Sequence, residues 1–378
     1  MINVYATYNN IVSSLGFTTE ENVENILDGK SGITLHKETH FSNEPFYASI
    51  IEDKKLNKAF SEINTTSEKY TKLEKMMILS LHQTIQASEE NIDDKTGIII
   101  SSTKGNIDVL DIENPFSEEK AYLTSLGKTI QDFFSFNHKP IIISNACVSG
   151  VLAIAVAKRF LQINKYDKIF VVSGDVLTKF VLSGFNSFKA ISEKPCKPFD
   201  KDRTGITLGE AACSMLITTK ESKESVAIIG EASSNDANHI SGPSRTGEGL
   251  YRSIIKAKKE AEANYETIDY ISAHGTATLF NDEMESIAFH RAGLSNVPVN
   301  SYKGYYGHTL GSSGLLESIL GIESMKRNTL FPSIGFETSG TSHLLNVIKE
   351  NTTKNISAFI KTASGFGGCN TAVIFKKQ

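Results

Sequence analysis

A chain of 378 residues, 40% hydrophobic and 22% charged, is long enough for one large or two medium domains around a sizeable core. Its formal net charge of −4 offers no electrostatic footprint for nucleic acid. No apolar run approaches the roughly 20 residues of a spanning helix, the start MINVYATYNN lacks a basic region followed by an apolar core, and the four cysteines (Cys147, Cys196, Cys213, Cys369) show neither a CxxC pair nor zinc-type spacing. The expectation is a soluble protein of a reducing compartment, most simply cytoplasmic, with no disulfide framework, metal site or membrane span.

Residues 1–50 read as short apolar pieces and turns, with Thr18-Thr19-Glu20-Glu21 capping a helix that ends near Asp28-Gly29. A polar stretch from Glu52 to Glu68 leads into a helix from about Ser67 to Ser88, whose apolar face is Leu73, Met76, Met77, Ile78, Leu81 and Ile85. Thr96 to Ser101 reads as a buried strand, Ser102 to Asn106 as a loop, and Ser117 to Phe134 as a helix. Pro140 to Phe160, PIIISNACVSGVLAIAVAKRF, then supplies a β-branched strand (Ile141 to Ile143), a polar turn, and a helix of small and apolar residues from Val148. Lys168 to Ser173 is a further strand, residues 174–210 carry loops, and strands Ala211 to Thr218 and Val226 to Glu231 flank a polar turn at Lys220 to Glu224. The second half repeats this rhythm: helix Gly249 to Asn264, strand Ile268 to Ser272, helix Asp282 to Ala292, strand Val297 to Val299, helix Ser312 to Arg327, and strands Ile356 to Lys361 and Thr371 to Phe375. Alternation of strands and helices specifies an α/β architecture. The halves 1–220 and 221–378 each hold a strand, a polar turn and a small-residue helix, as an internal duplication would.

Cys147 lies where strand gives way to helix, so helix-start N–H groups aimed at its sulfur would lower its pKa below the free value of about 8.5. Taken alone, it reads more simply as a small buried side chain. Four further clusters carry chemistry. Ser272-Ala273-His274-Gly275-Thr276-Ala277-Thr278 follows a strand, with Asp282 and Glu285 beyond; the imidazole and hydroxyls suit a cleft for a polar ligand, against a loop histidine satisfied by its neighbours. Asn300 to His308 places Lys303 and His308 in a turn feeding the small-residue helix; GxxxxGK[ST] is absent, so this is not a Walker loop. Ser364-Gly365-Phe366-Gly367-Gly368-Cys369 suggests a backbone that approaches something closely beside a movable aromatic, against a plain glycine-rich hairpin. In Pro198 to Gly205, Asp200 and Arg203 are expected to order the loop as an ion pair.

Together these clusters resemble one family. Asn-Ala-Cys-Val-Ser-Gly, Pro-Phe-Asp, His-Gly-Thr-Ala-Thr, Asn-Ser-Tyr-Lys followed by Gly-His, and Gly-Phe-Gly-Gly are similar, in this order, to motifs of the β-ketoacyl-acyl carrier protein synthases. These are the elongating condensing enzymes of fatty-acid and polyketide synthesis, and the resemblance runs from about Asn10 to Phe375. It implies the thiolase fold, with duplicated α/β halves in a five-layer αβαβα stack, usually dimeric. It implies Cys147 as the acyl-accepting nucleophile, His274 and His308 as the pair acting on the malonyl unit, and Lys303 as electrostatic support for the second histidine. Thr276 and Thr278 would contact the phosphopantetheine arm. The N–H groups of Cys147 and Phe366 would form the oxyanion hole, Phe366 would also be the gate, and Glu317 a structural glutamate near Lys303.

The implied reaction is decarboxylative Claisen condensation of an acyl thioester with a malonyl thioester. It requires no metal or redox cofactor, since the 4′-phosphopantetheine arrives on an acyl carrier protein; a second copy or a related synthase subunit is the other implied partner. The alternatives are a non-catalytic chain-length-factor-like partner, a thiolase-type acyltransferase using Cys369 as a second cysteine, and a hydrolase, for which no GxSxG is present. The Lys303-to-His308 motif favours the Cys-His-His type of condensing enzyme over the initiating Cys-His-Asn type. The chain departs from the family pattern at Ala277, at Asn281-Asp282-Glu283 and at Thr362-Ala363-Ser364. These departures lead us to expect a specialised synthase of fatty-acid, polyketide or aryl-polyene-type biosynthesis, with a pocket for unsaturated or aryl-polyene chains as one hypothesis. Arg252, Lys256, Lys258 and Lys259 are candidates for docking an acidic carrier protein, against an ordinary solvated helix face.

Overall fold

The structure is a computed structural model that describes residues 2–37, 39–223, 225–237, 242–261 and 267–378. Glu224, at the end of the expected polar turn, and the expected helix end at Asn264 lie outside the described residues. Ten strands make one continuous sheet, numbered here in chain order: β1 (Tyr5–Ser13), β2 (Thr96–Ser101), β3 (Ile141–Ile143), β4 (Lys168–Asp175), β5 (Ala211–Thr218), β6 (Val226–Asn235), β7 (Tyr270–Ser272), β8 (Val299–Asn300), β9 (Ala358–Gly365) and β10 (Cys369–Lys377). The helices among the described residues are α1 (Thr19–Leu27), α2 (Asp53–Ser61), α3 (Lys72–Ser88), α4 (Leu123–Phe134), α5 (Ser149–Gln162), α6 (Lys179–Ser187), α7 (Glu248–Ala261), α8 (Leu279–Arg291), α9 (Lys303–Tyr306) and α10 (Ser313–Lys326).

The duplication is visible in the strand order. The first half runs β3-β2-β4-β5-β1 and the second β8-β7-β9-β10-β6. Pairing matches as well as order. β2 is parallel to β3 and β4 while β5 is antiparallel to β4 and β1; β7 is parallel to β8 and β9 while β10 is antiparallel to β9 and β6. The halves join where Tyr5 and Ala6 of β1 pair with Ala227 and Val226 of β6. α3 and α4 cover the outer face of the first half, α7 and α8 that of the second, and α5 and α10 lie back to back between them, touching strands of both. Five layers result, helix–sheet–helix–sheet–helix. The central pair can be this close because both helices are rich in Gly, Ala and Ser: a Cβ on Gly150 would lie 2.6 Å from Leu315 N, and one on Gly314 2.6 Å from Val151 N.

Several boundaries differ from the sequence expectations. Helix α3 begins at Lys72, because the Thr71 hydroxyl accepts the Glu74 N–H while the Glu74 carboxylate accepts the Thr71 N–H, a reciprocal cap that starts the helix there. Residues 67–69 form a separate 3₁₀ turn, and so do residues 118–121 ahead of α4. β1 was not anticipated: its YATYNNIVS sequence lacks apolar alternation, yet it is the inner strand that joins the two halves. α2 and α6 arise within stretches read as polar and loop.

Candidate active site

The ends of the parallel strands and the turns following them converge on one cavity of about 240 Å³, whose lining includes Cys147, His274, His308, Thr276, Thr278 and Phe366. Cys147 is carried by the turn between β3 and α5. That turn is tight: Ala146 adopts φ +45°, left-handed backbone for a non-glycine residue. The Val148 and Ser149 N–H groups donate to the Asn145 and Ala146 carbonyls, and the Ser149 hydroxyl donates to the Ala146 carbonyl. These contacts present the thiol at the cavity floor, where Cys147 is only 8% exposed.

His308 follows α9, and its Nε2 lies 3.1 Å from Cys147 Sγ. On the other side of the ring, Nδ1 lies 3.0 Å from Ser313 Oγ, at the start of α10. His274 leaves the end of β7 and meets His308 edge to face, with ring centroids 5.3 Å apart. The thiol sulfur and one nitrogen from each imidazole all lie within 4.8 Å of one another, the spacing in which a single reacting carbonyl group fits.

Beneath these groups lies a buried charge cluster. Lys303 Nζ donates to Glu317 Oε1 at 2.7 Å and to the His274 carbonyl, and it lies 3.4 Å from His274 Nδ1. The sequence reading made Lys303 the electrostatic support of the second histidine. Its hydrogen-bond contacts are with His274 and Glu317, and it acts on His308 through space. The cause is geometric, since α9 carries Lys303 back under the β7 end while His308 points towards α5.

The His274 loop is bound from below by two carboxylates. Glu285 accepts the His274 and Gly275 N–H groups at 2.8 and 2.6 Å. Asp282 accepts those of Thr276, Ala277 and Phe199 at 3.0, 3.2 and 2.7 Å. The expected Asp200–Arg203 ion pair is absent. Asp200 instead accepts the N–H groups of Asp202, Glu337 and Thr338, and Arg203 donates to the Asp200, Gly340 and Leu279 main-chain carbonyls while its Nε lies 3.8 Å from Asp282. Both residues order the loop, but through main-chain groups, because the turn points their side chains in different directions. Thr276 and Thr278 hydroxyls lie 3.0 Å apart, and Thr278 also caps α8 by accepting the Asn281 N–H.

Phe366 stands between Phe185 and Phe188, with centroids at 5.8 and 5.5 Å. Its neighbour Gly365 passes so near the nucleophile that a Cβ there would lie 3.1 Å from Cys147 N. The Cys369 thiol donates to Asn145 Oδ1 at 2.7 Å. It is not among the groups that converge with Cys147 within 4.8 Å, which are the two imidazoles.

The electrostatics differ from the expected helix-start thiolate. Burial pushes the Cys147 thiol up to about 11, outweighing the opposing pull of Lys303 and Lys104. In the same turn the Val148 and Ser149 N–H groups are bonded to carbonyls. Burial, reinforced by Lys303 and Lys361, holds His308 well below the ordinary histidine value. Thiol and imidazole therefore meet as a neutral pair at neutral pH. Glu285 is raised to about 7, first by burial and then by Asp282.

Sequence reasoning missed Asp175, whose carboxylate takes the Ser102 hydroxyl and the Thr103 and Gly311 N–H groups and so ties the loop after β2 to the start of α10. It also missed Ser313 and Lys361. A lysine in AFIKTASG, a strand otherwise made of apolar and small residues, was the available signal for the last of these. Arg252, Lys256 and Lys259 are exposed on α7 and Lys258 is half-buried; Arg252 pairs with Glu248 at 2.6 Å.

Comparison with known proteins agrees with this architecture. Residues 10–222 match the family described as beta-ketoacyl synthase, N-terminal domain, and residues 226–337 its C-terminal domain. A putative mitochondrial 3-oxoacyl-[acyl-carrier-protein] synthase of Schizosaccharomyces pombe is 26% identical, with 97% of each chain covered. The 3-oxoacyl-[acyl-carrier-protein] synthase 2 of Vibrio cholerae is 27% identical over 99% of each. Among solved structures, a ketosynthase from Xenorhabdus doucetiae, in complex with its chain length factor, superposes with a TM-score of 0.86 at 22% identity, covering 100% of this chain and 98% of that one. No described helix is long and apolar enough to cross a membrane. With both family domains matched in sequence over most of its length and the thiolase fold formed around a Cys-His-His cavity, the chain belongs to the β-ketoacyl synthase family.

Proposed function

We propose that this protein is an elongating 3-oxoacyl-[acyl-carrier-protein] synthase, with Cys147 as nucleophile and His274 and His308 as the two imidazoles of the condensation. The observation that carries the reading is the convergence of the Cys147 sulfur with both imidazoles, one of them at 3.1 Å. In the first half-reaction, the Cys147 sulfur attacks the carbonyl of an acyl thioester presented on a carrier protein's phosphopantetheine arm. As the C–S bond forms, His308 Nε2 takes the thiol proton, then returns it to the departing pantetheine sulfur. With the thiol raised to about 11 and His308 depressed, this transfer is uphill until a carbonyl is in place, so the thiol is quiet in the resting site. Main-chain N–H groups of Cys147 and Phe366 are the proposed donors to the oxyanion.

In the second half-reaction a malonyl thioester loses CO₂, and its electron pair passes to an enolate. Lys303 beside His274 Nδ1 favours a proton on His274 Nε2, which makes that nitrogen a donor to the enolate oxygen. The Ser313 hydroxyl can donate or accept, so His308 can offer a lone pair at Nε2 in the first half and an N–H in the second. The enolate carbon attacks the acyl-Cys147 carbonyl: the new C–C bond forms as the C–S bond to Cys147 breaks, and the departing thiolate takes a proton that reaches it from solvent through His308 Nε2, which regenerates the thiol. Thr276 and Thr278 line the mouth of the cavity, where their hydroxyls suit the amides of the pantetheine arm. Phe366 is the proposed gate, held by the Phe185 and Phe188 rings.

A chain-length-factor-like role without catalysis is disfavoured by the intact thiol–imidazole contact. We place the enzyme in the cytoplasm, in keeping with four unpaired cysteines, and working with an acyl carrier protein and a second synthase subunit, either identical or related. Intact-protein mass spectrometry with a panel of acyl carrier proteins tests the assignment. The wild type should gain one acyl group and Cys147→Ala none; condensation retained in Cys147→Ala would overturn it.

A further inference from the structure

Lys361 stands near the middle of β9 and is completely buried, with 0% side-chain exposure. An ammonium group so placed is costly unless paired and hydrogen-bonded. Its Nζ meets Glu317 Oε2 at 2.5 Å and donates to the Ala273 and Ser272 carbonyls at 3.0 and 3.3 Å. The other oxygen of the same carboxylate, Oε1, holds Lys303 at 2.7 Å. One carboxylate is therefore held between two buried ammonium groups. Both ammonium groups bond consecutive carbonyls of the segment that carries His274: Lys361 takes Ser272 and Ala273, and Lys303 takes His274 itself.

We propose that Lys361 is a positioning residue of the condensing site: by clamping Glu317 and the Ser272–Ala273 main chain, it sets the placement of His274 and Lys303 against the malonyl thioester. The proposal rests on the condensing reading of the site. Lys361 touches neither Cys147 nor the cavity, so its effect should fall on one half of the reaction. Acyl loading needs Cys147 and His308, which are held by the β3–α5 turn and by Ser313, away from the clamp. Decarboxylation needs His274 and Lys303, which hang from it. Two ammonium groups against one carboxylate also leave positive charge under the imidazoles. This agrees with Lys303 and Lys361 both disfavouring a proton on His308.

The test separates the two half-reactions in the full-length protein. Lys361→Met keeps the length and apolar stem but removes charge and donors; Lys361→Gln keeps a donor and serves if the methionine variant does not fold. Acyl loading is read by intact mass with hexanoyl carrier protein, and decarboxylation by CO₂ release from malonyl carrier protein. Decarboxylation is expected to fall about tenfold or more, because a small misplacement of an acting group is enough, while loading falls by no more than about twofold and can rise, since the lost Lys361 charge only eases the proton onto His308. Wild-type rates in both steps would overturn the proposal. Equal losses in both steps alongside a lowered melting temperature would also overturn it, since they would mark Lys361 as merely structural. Failure of the wild type to load from any member of the acyl carrier protein panel, or to decarboxylate malonyl carrier protein, would instead refute the condensing reading itself.

Discussion

Replacing Gly150 by alanine tests whether the contact between the two central helices sets the reactive distance between Cys147 and His308. The thiol precedes α5 and the imidazole precedes α10, and these helices cross where Gly150 faces Gly311 and Leu315. A Cβ on Gly150 would lie 2.6 Å from Leu315 N and 2.8 Å from the Gly311 carbonyl oxygen, where ordinary contact begins at 3.4 Å. Main chain on both sides leaves no side chain to swing away, so the helices must separate by about 0.8 Å. Overpacking of this kind costs about 1–3 kcal/mol. Transmitted to the turns, the separation lengthens the 3.1 Å sulfur–nitrogen contact to nearly 4 Å, at about the limit for proton transfer. We expect a lower melting temperature and an acyl-loading rate reduced about tenfold to a hundredfold. Stopped-time intact mass spectrometry reads the second quantity and calorimetry the first. Wild-type values for both would refute the claim that the crossing is backbone-locked. A destabilised variant that loads at the wild-type rate would refute the link from crossing to site.

Alkylation of Cys147 by iodoacetamide should keep accelerating with pH towards about 11; a plateau already reached at or below a free thiol's value of about 8.5 would mean a stabilised thiolate. Asp282→Asn should cost about 3 kcal/mol or more by denaturant unfolding, because it removes the charge that accepts three main-chain N–H groups beside Arg203; a loss below about 1 kcal/mol would show the carboxylate to be incidental. Ala277 adopts φ +63°, a left-handed conformation in which Cβ is penalised, so Ala277→Gly should stabilise the protein by up to about 1 kcal/mol, and a decrease in unfolding free energy would contradict this. The depressed His308 adds acid sensitivity. Its unfolded form binds a proton below about pH 6.5 while the folded form does not. Stability present above that value is therefore lost as pH falls from it towards the lower folded value. His308→Asn should flatten this limb of a melting-temperature profile; an unchanged limb would assign it to other groups.

The α/β class, the duplication and the groups around the thiol were legible because they depend on local pattern. Apolar runs bounded by turns mark β2, β4, β5 and β10. Small-residue helices mark α5 and α10, and the motif residues stand at strand ends, where side chains converge whatever the details of packing. β1 escaped because its burial comes from neighbours on both sides and not from its own composition. The hydrogen bonds of Lys303 to the His274 segment and the clamp at Lys361 also escaped, since each depends on where α9 and β9 lie relative to β7. So did the protonation of Cys147: helix-start position argues for a thiolate, but burial pushes the thiol up to about 11. Residue identity and order along the chain specified which groups meet. Their charge states and mutual support were decided by tertiary packing, because desolvation and long-range contacts belong to the assembled fold and to no local stretch of sequence.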